Sequence, residues 1–266
     1  MKRVVLGLSA VLLLVAGCSS SGSGGKSSAP ASAAASGSGS SSTALSGSIT
    51  VYAAASLTEA FGTLSKQFQA AHPGTTVKTT YGASSDLSTQ ISQGAPVDVF
   101  ASASTKNMTS LGSAAQNPTN FVSNTLEIAV PPSNPGKVSS VNDLAKSGVK
   151  VAVCDPAVPC GVVAAKVFTN AKIKVNPVAR EKDVKSTLAI VQSGEVDAGL
   201  VYVTDVRAAG AKVKGVTIPS SVNASTEYPI ATLKSAKNAA LASAFVAYVL
   251  SATGKKVLTA DGFSNP

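Results

Sequence analysis

Five positions in this chain place hydrogen-bond donors where a strand ends or a helix begins. Ser56 follows Ile49-Thr50-Val51-Tyr52-Ala53-Ala54-Ala55 and precedes Leu57-Thr58-Glu59. Ser84 opens Ser84-Ser85-Asp86-Leu87 after the turn Gly82-Ala83. Cys160 lies in Pro159-Cys160-Gly161, just ahead of a helical pattern from Val162. Val184 follows Asp183, a natural N-cap, and Tyr202 ends the strand-like Gly199-Leu200-Val201-Tyr202. A helix start leaves backbone N–H groups unpaired at the positive end of the helix dipole. It can therefore hold an anion without any charged side chain. Serine hydroxyls, backbone N–H groups and a phenol are all neutral donors. The chemistry they share is capture of an anion. Each has a plainer reading when taken alone. Ser56 and Ser84 can be simple caps, worth about 1 kcal/mol each, and Tyr202 can be a core boundary residue. Ser56 and Glu59 also have the S-x-x-E spacing of a capping box.

Catalysis fits these residues poorly. There is no G-x-S-x-G elbow, and the lone His72 precedes Pro73-Gly74 at a helix end, where it is no base for a distant serine. With one histidine, no His/Asp cluster can hold a catalytic metal. The chain is expected to be no enzyme, to need no cofactor and to have no direct metal ligands. Its formal charge is +9, but the lysines are scattered and aromatic residues make up only 5%. Nucleic acid is therefore not an expected partner.

The N-terminal segment reads as an address. Lys2 and Arg3 precede an apolar run, residues 4–16, that ends in Val15-Ala16-Gly17-Cys18. The run is shorter than the roughly 20 residues of a membrane-spanning helix and has the form of an export signal. Its ending resembles a lipobox, so residues 1–17 are expected to be a lipoprotein signal peptide and Cys18 the lipidated residue. Residues 18–46 then form a flexible Ser/Gly/Ala linker with a coil span of roughly 30 Å. Export to an oxidising compartment makes a disulfide between Cys154 and Cys160 plausible; the alternative is two reduced thiols in a partly buried turn.

From residue 48 onward, strand and helix patterns alternate. Strands are expected at 49–53, 77–81, 97–101, 150–154 and 198–203, with a further extended segment at 174–178. Helices are expected at 57–71, 84–92, 161–171, 184–193 and 239–250, where apolar residues recur at three-and-four spacing. This is the βαβ rhythm of a mostly parallel sheet. In open α/β sheets ligands bind beyond the carboxyl ends of the strands, where all five donors fall. Segments 126–130 and 227–231 read as paired hinge strands. That divides the chain into lobe I, residues 47–128 plus 231–266, and lobe II, residues 129–230. A two-segment hinge permits closure around a ligand.

Ile49-Thr50-Val51-Tyr52-Ala53-Ala54-Ala55-Ser56-Leu57-Thr58, Tyr81-Gly82-Ala83-Ser84-Ser85-Asp86-Leu87 and Gly94-Ala95-Pro96-Val97-Asp98-Val99-Phe100 resemble motifs of the molybdate-binding proteins of bacterial ABC importers. The similarity continues through Asp155-Pro156-Ala157-Val158-Pro159-Cys160-Gly161, Asp183-Val184, Gly199-Leu200-Val201-Tyr202, Glu227-Tyr228-Pro229 and Asp261-Gly262-Phe263, so that it covers residues 48–264. The resemblance implies a type II periplasmic-binding-protein fold, in which two βα lobes with mostly parallel sheets meet at a two-segment hinge. It implies molybdate between the lobes, bound through its oxygens. Ser56 and Ser84 would donate through hydroxyl and backbone N–H, Cys160 and Val184 through backbone N–H, and Tyr202 through its phenol. The position of Cys160 is usually alanine in that family, a change that a backbone donor survives. The implied partners are molybdate, ABC permease subunits and, through the lipid, the membrane. The protein would be a monomer anchored on the periplasmic or outer face of the cell membrane. Tungstate is expected to bind as well. A receptor for another tetrahedral oxyanion such as sulfate, or an exported hydrolase, is the alternative.

Overall fold

The computed structural model describes residues 44–266. The expected signal peptide, Cys18 and most of the linker lie outside the described residues. Strand β1 (Gly47–Ala54) leads through a 3-10 turn (Ala55–Leu57) into α1 (Thr58–Ala71). Helix α1 buries Ala60, Phe61, Leu64 and Phe68, one stripe at helical spacing. It stops at His72, and Gly74 turns the chain at φ +89°. Next come β2 (Thr75–Gly82), α2 (Ser84–Ser92), β3 (Val99–Ala101) and the short α3 (Thr105–Thr109). Both β2 and β3 run parallel to β1.

The long strand β4 (Ala115–Val130) leaves this unit and enters the next. There β5 (Val151–Cys154), α4 (Pro159–Asn170), β6 (Ala179–Glu181), α5 (Val184–Gln192), β7 (Ala198–Tyr202), α6 (Val203–Ala209) and β8 (Lys214–Thr217) follow. Strand β5 is parallel to both β6 and β7. The chain returns along β9 (Ser225–Leu233) and ends with α7 (Ala239–Leu250) and α8 (Ala252–Ala260). The sheet order is β2-β1-β3-β9-β4-β7-β5-β6, with β8 paired to β4. Each half is parallel at its centre, and the antiparallel pair β4–β9 joins them. This is the two-lobed α/β architecture expected for a type II periplasmic-binding-protein fold.

Two cores flank the junction. One collects Val51, Leu57, Phe61, Phe68, Tyr228 and Phe245. In it Phe245 meets Phe68 edge-on at 5.3 Å between ring centroids. The other collects Ile128, Val151, Val153, Val167, Leu188 and Leu200. Strand β4 serves both, giving Phe121 and Val122 to the first and Leu126 and Ile128 to the second. Its pairing with β9 slips between Gln116 and Thr119. There Asn117 takes φ 49° and Pro118 has no N–H to offer the ladder. Ala55 and Ala83, at the ends of the first two βα units, pack into the second core. The lobes are therefore in contact.

The expected extended segment at 174–178 joins no ladder, and strand β6 begins at Ala179. Pro177 cannot donate to a ladder, and the first bond to β5 comes from Val178 N–H to the Val151 carbonyl, at 2.9 Å.

Candidate functional site

The carboxyl ends of β1, β2, β5 and β7 point at one space between the lobes. Its walls include Ser56, Ser84, Cys160, Val184 and Tyr202 together with the small residues Ala55, Ala83 and Ala103. The enclosed volume is about 20 Å³. That is far below the roughly 300–1,000 Å³ typical for organic ligands, so only a small group fits.

Each donor has a local origin. Strand β2 stops at Gly82, Ala83 is the N-cap of α2, and Ser84 is its first residue. The Ser84 hydroxyl oxygen accepts the Ala103 N–H at 2.9 Å. One of its two lone pairs is thus occupied while its proton stays free to donate. Ser56 lies within the 3-10 turn, with its hydroxyl 2.7 Å from the Tyr228 phenol oxygen. If Tyr228 donates in that pair, the Ser56 proton also faces the cavity. Helix α4 starts with Pro159 at its first position, so the missing proline N–H costs nothing and Cys160 N–H is the first donor. Asp183 caps α5 by accepting Ser186 N–H at 2.8 Å. This leaves the N–H of Val184, the first helical residue, without an intrahelical acceptor. Among the described residues, Asp183 is the one carboxylate in the cavity wall, and the cap bond holds it on its own helix.

Cys154, at the end of β5, and Cys160 form a disulfide with a Cα–Cα separation of 5.7 Å. It closes the loop that carries the α4 donor. Gly161 makes this tight turn possible, because a Cβ there would lie 1.9 Å from the Asp155 carbonyl oxygen.

Tyr202 is 2% exposed, and its hydroxyl has no hydrogen-bond partner among the described residues. Burial, first, and then the neighbouring Tyr228 and Asp205 push its pKa well above the ordinary tyrosine value. The group is thus a phenol and a donor at any physiological pH. Its ring meets Tyr228 edge-on at 6.2 Å.

Among the described residues, no Lys, Arg or His lines the cavity. Lys185, one residue beyond Val184, points elsewhere. Its ammonium donates to both Glu59 carboxylate oxygens, at 2.9 and 2.8 Å. The same ammonium lies 3.1 Å from Asp205 Oδ1 in an ion pair, off the direction of a formal hydrogen bond. Burial pulls the lysine pKa down, but Asp205 and Glu59 outweigh it and hold the pKa above its usual value. Burial raises Asp205 to about 6, opposed by Lys185.

The expected capping box at Ser56 and Glu59 is overturned. The N-cap of α1 is Leu57, with no side-chain cap bond. Ser56 instead reaches Tyr228, 172 residues away, and Glu59 reaches Lys185, 126 residues away. The serine lies inside the 3-10 turn, one residue before the helix N-cap Leu57, so the local geometry of the box never forms. Sequence reasoning also missed Tyr228 as a partner of Ser56 and Ala103 as a partner of Ser84. Neither has a local signal, because both bonds join distant segments.

Residues 49–264 match the family model described as bacterial extracellular solute-binding protein. The molybdate-binding protein ModA of Mycobacterium tuberculosis (strain H37Rv) is 43% identical over 222 residues, covering 82% of this chain and 85% of the relative. The ModA of Haemophilus influenzae is 35% identical, covering 83% and 91%. The solved periplasmic molybdate-binding protein of Azotobacter vinelandii superposes with a TM-score of 0.73 over 82% of this chain and 99% of that one. At 22% identity it speaks to the fold alone. The resemblance seen in the motifs thus extends over the whole folded body. The chain belongs to the bacterial extracellular solute-binding proteins, in the family of the molybdate-binding protein ModA.

Proposed function

We propose that this protein captures molybdate, and tungstate as well, between its two lobes and delivers it to an ABC permease. The observation that carries this reading is the Tyr202 hydroxyl, a buried donor without a partner on a cavity ringed by four helix starts. A buried polar group left unmatched costs roughly 1–3 kcal/mol. An oxyanion in the cavity removes that cost. A dinegative tetrahedral oxide with no proton needs donors only, and the cavity offers hydroxyl, N–H and phenol groups in that role. A protonated phosphate also needs an acceptor, and the carboxylate in the wall, Asp183, already accepts Ser186 N–H through one oxygen. Sulfate needs the same donors as molybdate, and the similarity to molybdate-binding relatives favours the latter.

Neutral dipoles suit transport. Aimed into a shielded space, they bind strongly without reorganising. When the lobes part, Ser56 and Ser84 leave with one lobe and Cys160, Val184 and Tyr202 with the other. Neither half-set suffices, so opening releases the ion. On this reading the protein works as a monomer, with lobes 47–128 plus 231–266 and 129–230, tethered to the membrane by lipid on Cys18.

Thermal melts with molybdate, tungstate, sulfate and phosphate test the proposal. Ligand at 100 times its dissociation constant adds about 2.7 kcal/mol. For a body of this size that is a rise in Tm of roughly 5–10 °C. The expected result is a shift with molybdate and tungstate and a smaller one or none with the others. A shift with sulfate alone makes the protein a sulfate receptor. No shift with any of the four removes the reading.

A further inference from the structure

Three of the donor-bearing segments converge on a single group that the anion never touches. Glu59 is in the first turn of α1, three residues after Ser56. Lys185 is in the first turn of α5, next to Val184. Asp205 is in the first turn of α6, and its Oδ2 accepts the backbone N–H of Tyr202 at 3.1 Å. The Lys185 ammonium stands between the two carboxylates, 2.8 Å from Glu59 and 3.1 Å from Asp205. We propose that Lys185 is a positioning residue that clamps the anion donors of the two lobes in register, gripping Glu59 across the cleft and Asp205 behind Tyr202. The inference rests on the molybdate reading above and assigns its retention to a group outside the site.

The geometry sets this contact apart from an ordinary surface ion pair. Exposed pairs contribute little, because water screens them and two long side chains must be immobilised. Here Asp205 is fully buried and the lysine side chain only 25% exposed, so much of the ordering is built into the fold. Lys185 and Asp205 both belong to the β5–β7 lobe, and Glu59 belongs to the β1–β3 lobe. Opening the cleft therefore breaks the Glu59 leg alone. The lysine keeps Asp205, and the open form is not left with a bare buried carboxylate. The clamp exists only in the closed form, so it slows release and also shifts the open–closed balance of the ligand-free protein.

Stopped-flow and calorimetric measurements with molybdate test this in wild type, Glu59→Gln, Lys185→Gln, the double variant and Lys185→Arg. Glu59→Gln is the primary variant. Glu59 is 45% exposed, and its change leaves the Lys185–Asp205 pair intact. The expected result is release of molybdate about fivefold faster in Glu59→Gln, with association changed less than about twofold because the encounter precedes closure. Lys185→Arg restores most of the lost retention, and the double variant is no worse than Lys185→Gln alone. Unchanged release in Glu59→Gln, or effects that multiply in the double variant, overturns the clamp. If wild type binds no molybdate, the functional reading has failed. The clamp is then judged by small-angle scattering of the ligand-free protein. Expansion of Glu59→Gln relative to wild type supports it, and identical radii of gyration overturn it.

Discussion

Replacing Tyr202 by phenylalanine separates a donor waiting for a ligand from a core tyrosine. The ring is 2% exposed and packs edge-on against Tyr228, and phenylalanine preserves both features. Only the unpartnered hydroxyl is lost. In the ligand-free protein that hydroxyl is a liability, and its removal recovers part of the roughly 1–3 kcal/mol that an unmatched buried polar group costs. At about 2–4 °C per kcal/mol for a domain of this size, the variant melts a few degrees higher than wild type. In the complex the same hydroxyl donates to an oxyanion, a bond to a charged group worth roughly 1.5–3 kcal/mol. Molybdate affinity therefore falls by about one to two orders of magnitude. Melts with and without molybdate, together with calorimetric titration, read both effects on one sample. The signature is a more stable free protein that binds more weakly. A variant that melts lower and binds as tightly as wild type refutes the role assigned to Tyr202.

Ser84→Ala carries the opposite sign for stability. It removes a donor to the ion and also strands the buried Ala103 N–H, so Tm and affinity both fall, each by roughly 1–3 kcal/mol in the same melts and titrations. The double change Cys154→Ala with Cys160→Ala opens a short loop and costs about 2 kcal/mol of stability by denaturant titration. Molybdate affinity stays within about threefold, because the donor is the Cys160 N–H; a larger loss identifies the disulfide as the element that shapes the pocket. Asp205 gives a dependence on pH. Its folded pKa, raised by burial to about 6, lies above the unfolded value of about 3.9. An acid with a raised folded pKa costs nothing below the unfolded value. Its penalty grows as pH rises towards 6 and is constant above that. Asp205→Asn lacks this penalty, so its stability relative to wild type should climb between about pH 4 and 6 and level off beyond. A flat difference across that window contradicts the assignment.

Much of the scaffold is legible in the sequence because its signals are local. Alternating burial along β1, the stripe of α1 and the stop at His72-Pro73-Gly74 each depend on neighbours a few residues away. The same holds for Ser84, for Asp183 before Val184 and for Tyr202 at a strand end, and the structure gathers them around one cavity. What escapes is long-range. Glu59 three residues after Ser56 looks the same whether it caps a helix or crosses a cleft, and only the fold brings Lys185 within reach. Tyr228 reads as a hinge residue until the 2.7 Å contact with Ser56 is seen. The start of β4 carries no alternation, since residues 116–120 are all exposed across the slip at Asn117-Pro118. Helix α8 is set off from α7 only by Ser251, which caps it through the Gly254 N–H.

A crystal of the protein grown with tungstate, examined by anomalous diffraction, tests the central claim most directly. The account predicts one strong metal peak in the cavity between the lobes. Its oxygens should lie within hydrogen-bond distance of the Ser56, Ser84 and Tyr202 hydroxyls and of the Cys160 and Val184 N–H groups, with no lysine or arginine in contact. A peak elsewhere on the molecule, or an ammonium touching the oxide, would contradict it.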